Sequence, residues 1–117
     1  MTNSGRMPAR SDARVVESVL FERAMQDEKF GDQSHLPDGT STDKYGPAMH
    51  AARVFVNRAL ENGTVTHAEI LREEFFEVMS AEQPQQLRNE LIQLAAYAMK
   101  WAGYIDQCQP GVSGSGA

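Results

Sequence analysis

The chain has 117 residues, 41% of them hydrophobic, and its 16 acidic and 11 basic side chains give a net charge of −5. A chain of this length is expected to form one domain, burying roughly two-thirds of its unfolded surface, and without a basic cluster it argues against duplex DNA or RNA as a partner. No apolar run approaches the roughly 20 residues of a membrane span; the opening MTNSGRMPARSD lacks the apolar core of a signal peptide, and the lone Cys108 has no internal disulfide partner, so a reducing cytoplasm is the expected setting.

Residues 1–10 and the tail 108–117 are small and polar, and disorder is expected there, leaving 11–107 as the folded domain. Helix one is expected from an N-cap at Asp12, with Val15, Val16, Val19 and Leu20 on one face and Gly31 as its stop. A polar loop, GDQSHLPDGTSTDKYG, follows with a PDG turn. Helix two is expected to begin at Pro47, carry Met49, Ala52, Val56 and Leu60, and end at Gly63. Thr66 followed three residues later by Glu69 spells a capping box for helix three, ahead of Ile70, Leu71, Phe75, Val78 and Met79. Pro84 opens helix four, whose spine of Leu87, Leu91, Leu94, Ala98, Trp101 and Ile105 alternates steps of four and three. With no convincing strand and only a short link around Gln83, the reading is an all-α four-helix bundle with helices three and four as an antiparallel hairpin.

Acids stand inside two of these stripes. Glu74 lies between Ile70, Leu71 and Val78 at helical contact spacing, and Glu90 lies between Leu87 and Leu94 in the same way. An unpaired carboxylate costs several kcal/mol to bury, so each is either exposed or matched to something positive. Glu74 and Glu77 share a face, with Glu73 at its edge, and Glu90 and Gln93 have the same three-residue spacing. Paired antiparallel, the two helices would converge Glu74, Glu77 and Glu90 in one groove. With the amide oxygen of Gln93 they would form an all-oxygen site of the kind Mg²⁺ or Mn²⁺ prefers. The plainer alternative is a solvated acidic helix face. A di-iron carboxylate bundle needs Glu-x-x-His pairs, and neither helix has one.

These residues resemble the all-α nucleotide pyrophosphohydrolases of the MazG-like superfamily, marked by E-E-x-x-E on one helix and E-x-x-D on the next. Here EEFFE supplies Glu73, Glu74 and Glu77, and after twelve intervening residues ELIQ supplies Glu90 and, in place of the aspartate, Gln93. Tyr97 stands where the family often has a tyrosine. The resemblance extends over roughly residues 17–106 to small MazG-like proteins of phages and bacteria, which share the segments RQDxKWGxQxHxDGT and ELVQVAAxAxxWIExID. This chain reads RAMQDEKFGDQSHLPDGT and ELIQLAAYAMKWAGYID.

The resemblance implies a MazG-like four-helix bundle that binds a nucleoside triphosphate through Mg²⁺ (or Mn²⁺) and cleaves (d)NTP to (d)NMP and pyrophosphate. By position, Glu74, Glu77, Glu90 and Gln93 would be metal ligands, and Glu73 would handle the attacking water. Lys29, with Gly31 behind it, would meet phosphate. His35 and Asp38 would contact base or sugar, although Asp38 is equally explained by its turn, and Gln26 and Asp27 stay undecided. Tyr97 would stack on a base and Lys100 reach a phosphate; the alternative is that the stripe of Gln93, Tyr97, Lys100 and Tyr104 is an outer edge or a subunit interface. Phe75 and Phe76 lie on different faces of one helix, which favours a homodimer or homotetramer, as the family's usual assemblies imply. The glutamine at 93 also admits a non-catalytic module that binds nucleotide or a protein partner on the same scaffold. A third reading is a helical interaction protein whose acids are merely solvated.

Overall fold

The computed structural model describes residues 10–108, the side chains of Arg10 and Ser11 excepted, and among them every regular element is helical. The helices are α1 (Arg10–Phe30), α2 (Thr42–Asn62), α3 (His67–Met79) and α4 (Pro84–Cys108). The terminal segments expected to be disordered lie outside the described residues, apart from Arg10 and Cys108, which begin α1 and end α4. No helix among the described residues is long and apolar enough to cross a membrane.

The described residues form two compact units. One holds α1, the loop to Leu36 and α4 from Met99 onward; the other runs from Pro37 to Ala98. In the first, α1 starts earlier than expected, so Asp12 is not its N-cap but lies in its first turn, where a negative charge suits the helix dipole. Gly31 takes the left-handed φ of 67° and donates its N–H to Asp27 O at 2.9 Å, closing the helix. Of the expected apolar face only Val15 is buried, while Val16, Val19 and Leu20 are exposed.

The second unit is built on α2 packed against α3. Here α2 corrects the expected start at Pro47. The helix begins five residues earlier, because Ser41 in an extended conformation accepts the Lys44 N–H at 3.1 Å and caps it. Pro47 is then accommodated inside the helix, costing one backbone hydrogen bond near its start. Three bonds tie this start to the end of α3. Ser41 N donates to Met79 O (2.9 Å), Thr42 Oγ1 to Ser80 O (2.7 Å), and Thr42 N to Glu82 Oε2 (3.2 Å). At the other end Gly63, φ 71°, caps α2 and feeds the short link to α3. The capping box is present in full: Thr66 Oγ1 accepts the Glu69 N–H at 3.2 Å and Glu69 Oε1 accepts the Thr66 N–H at 3.0 Å.

Ala52, Val56 and Ala59, spaced at four and three residues along α2, are buried, as are Val78, Ser80 and Ala81 at the end of α3. The core is therefore made of small side chains, and larger apolar ones, including Phe75, Leu91 and Ile92, stay exposed. The expected spine of α4 is covered only in part: Leu87, Leu94 and Trp101 are half-buried, while Leu91, Ala98 and Ile105 are exposed. Since the cap bonds set the entry into α3, Thr66→Ala is expected to lower unfolding free energy by about 1 kcal/mol, with no change in helix content. Urea denaturation followed by circular dichroism reads this; an unchanged midpoint would show that the box contributes nothing.

Candidate functional site

The capping box sets the phase of α3, and that phase brings Glu74 and Glu77 together on one side. Glu90 comes from the start of α4. One carboxylate oxygen from each of Glu74, Glu77 and Glu90 lies within 4.8 Å of the others, and all three side chains are half-buried. Arg53 of α2 joins them. Its Nη2 donates to Glu77 Oε2 at 2.9 Å, and its Nε lies 3.8 Å from Glu73 Oε2. The packing of α2 on α3 aims it there, since Met49, Arg53 and Val56 follow one line along α2. Met49 Sδ accepts from both Ser80 Oγ (3.2 Å) and Arg53 Nη2 (3.7 Å).

The one guanidinium pairs with two of these acids, Glu77 and Glu73, and is short of what the four need. Glu74 Oε2 and Glu90 Oε1 are buried atoms with no hydrogen-bond donor. Both carboxylates lie close to Glu77, and ionised carboxylates are acceptors only, so none of the three supplies the others with a donor. Burial, followed by the Glu77 charge, raises the Glu74 and Glu90 carboxyls above the ordinary 4.5. Glu73 is raised by the same two causes, with Arg53 pulling the other way. Arg53 is itself held more firmly protonated, first by its bond to Glu77.

The cluster itself comprises Glu74, Glu77 and Glu90, and the other expected site residues are placed as follows. Gln93, one turn past Glu90, is exposed. Tyr97 is half-buried and its hydroxyl lies 2.7 Å from His67 Nδ1, sharing a hydrogen bond, with the ring centroids 5.9 Å apart. Asp38 is exposed beside Gly39, φ 77°; the loop's turn lies at Ser34 and His35, closed by Leu36 N–H donating to Gln33 O at 3.0 Å, and not at the expected PDG. Lys29, His35 and Lys100 belong to the other compact unit; Lys29 sits in the last turn of α1 with Nζ 5.2 Å from the Phe30 ring centroid, and His35 is exposed in the loop. Gln26 and Asp27 both bond Arg23, at 3.1 and 3.2 Å, which gives them a local role on α1.

Sequence reasoning missed Arg53 and His67. The signal for Arg53 was present: acids set in an apolar stripe ask for a cation, and Arg53 borders the apolar stripe of the helix before them. The chain matches no protein-family model, no curated protein and no solved structure.

The raised carboxyls give a signed pH effect. Glu74 and Glu90 titrate near 4.5 when unfolded and higher when folded, so the folded state holds more protons between those values. Their favourable contribution is complete below 4.5 and is lost as pH rises through the folded value. In EDTA, Glu74→Gln is therefore expected to melt a few °C above the parent at pH 7.5, at about 4 °C per kcal/mol relieved, and close to it at pH 4. A variant that melts lower at pH 7.5 would contradict the repulsion.

Proposed function

We propose that the protein is a Mg²⁺-dependent nucleoside triphosphate pyrophosphohydrolase of the MazG-like kind. The observation that carries this reading is the convergence of Glu74, Glu77 and Glu90, with one oxygen of each within 4.8 Å of the others. Two further facts make the residues fit a hard divalent cation. The donors are all oxygen, and the buried Glu74 Oε2 and Glu90 Oε1 have no hydrogen-bond donor to satisfy them. Oxygens on one Mg²⁺, at about 2.1 Å each, lie about 3.0 Å apart when cis and about 4.2 Å apart when trans, so the trio would draw together to share one ion. The contacts His67–Tyr97 and Glu77–Glu90 run in opposite sequence order, which supports α3 and α4 as the antiparallel pair of such a bundle.

In this reading Glu74, Glu77 and Glu90 hold the cation, with the amide oxygen of Gln93 as a fourth ligand. When bound, the ion supplies charge neutralisation to the polyphosphate and polarises the phosphoryl under attack. Glu73 lies at the edge of the group and is raised by burial, which suits it to take a proton from water. Water oxygen attacks the α-phosphorus, the bond from that phosphorus to the α–β bridging oxygen breaks, and pyrophosphate leaves with the bridging oxygen. The proton released by the water goes to Glu73.

A second reading, a helical module that binds nucleotide or a protein partner without turnover, is favoured by Gln93, which brings no charge and is exposed. Incubation with each common NTP and dNTP, with Mg²⁺ or EDTA, separates the two. Metal-dependent pyrophosphate release that falls about a hundredfold or more in Glu74→Gln is the expected outcome. Nucleotide binding without release supports the module, and neither binding nor release leaves a helical interaction protein with solvated acids. Gln93→Asp is expected to tighten Mg²⁺ binding in calorimetry; unchanged or weaker binding would place residue 93 away from the ion.

A further inference from the structure

We propose that Arg53 sets the discrimination between a free divalent cation and one carried by a polyphosphate, acting as the resident counter-charge of the acidic group. The inference rests on the metal-binding reading above and assigns a role to a residue that reading does not use. Arg53 reaches the acids from α2, a different helix from those that carry Glu74, Glu77 and Glu90. Its one short bond is to Glu77 Oε2, at 2.9 Å, and its second pairing, to Glu73, is long at 3.8 Å. The guanidinium thus occupies a lone pair of a ligand carboxylate and places a positive charge beside the position a cation would take. Both effects oppose a bare metal ion.

The same side chain is suited to a polyphosphate. Its exposure is 46%, against 17% for Glu77 and 16% for Glu73, so it can turn outward without a new burial cost. A guanidinium donates through a planar fork that matches phosphate oxygens bidentately, more strongly than it does a single carboxylate oxygen. An arriving metal–triphosphate complex therefore offers Arg53 a replacement partner while releasing Glu77 to the ion, and a free ion offers none. Arg53 is a positioning and specificity residue in this scheme, since it acts on the cation through Glu77.

Calorimetric titration with Mn²⁺ alone, and with Mn²⁺ plus inorganic triphosphate, tests this without turnover. Arg53→Gln, which keeps a polar side chain without the charge, is the main variant, with Arg53→Met as companion, Arg53→Lys as the charge-keeping control and circular dichroism confirming the fold. The neutral variants are expected to bind free Mn²⁺ about tenfold more tightly than the parent and to lose affinity for the triphosphate complex, with Arg53→Lys within about threefold of the parent for free Mn²⁺. A purely structural role would weaken both together. Neutral variants that bind Mn²⁺ equally or more weakly, while Glu74→Gln still abolishes uptake, overturn the role of Arg53 and leave the metal reading standing. If neither the parent nor the neutral variants take up Mn²⁺, both are overturned.

Discussion

The second unit depends on an unequal electrostatic match: four glutamates on two helices gather near one arginine from a third, which pairs with only two of them. Burying like charges together is unfavourable, and a single guanidinium cannot donate to every oxygen. Glu77 receives a short bond, Glu73 a long pairing, and Glu74 and Glu90 keep buried oxygens with no donor. The tension is relieved either by protons, which is why burial raises Glu74 and Glu90, or by added positive charge. A structural ion pair would have been built more economically, with equal numbers of each sign. The imbalance leaves the cluster short of positive charge.

Holding such a group together requires rigid support, and the hydrogen bonds of the backbone provide it. The start of α2 is tied to the end of α3 through Ser41, Thr42, Ser80 and Glu82, while the far ends are joined by the Gly63 cap and the Thr66–Glu69 box. Both ends of the α2–α3 pair are therefore pinned, and neither helix can slide without breaking caps worth about 1 kcal/mol each. Small residues complete the arrangement. Ala52 and Ala59 on α2, with Ser80 and Ala81 after α3, leave little side-chain bulk in the core, which brings the backbones close. From this packed pair, the long side chain of Arg53 on α2 reaches two acids a turn apart on α3.

Much of this was legible in the residues. The capping box, the glycine stops at 31 and 63, the opening of α4 at Pro84 and the helical phase that groups Glu74 with Glu77 all rest on local rules, and each is present in the structure. The start of α2 was not legible, because two local signals compete there. Pro47 suits a first turn, and Ser41 suits an N-cap; the contest is decided by Met79 and Ser80, which accept bonds from Ser41 and Thr42 across the fold. The acids announced the need for a cation, but which one was not legible, for a related reason. Periodicity assigns residues to faces of their own helix, and the pairing of Arg53 with Glu77 depends on how two helices meet. The bond between His67 and Tyr97 also joins distant positions and has no local signature.

The exposed apolar side chains follow from the same economy. A core of alanines and valines buries little area per residue, so the larger side chains on the outer faces, Phe75 with 44% exposure among them, find no partner in the α2–α3 contact. Widening that contact to cover Phe75 would need a bulkier facing stripe on α2. Bulk there would push α2 away from α3 and take Arg53 out of reach of Glu77. Close approach at the acidic group and full coverage of the aromatic face are thus competing demands on one pair of helices, and the structure meets the first.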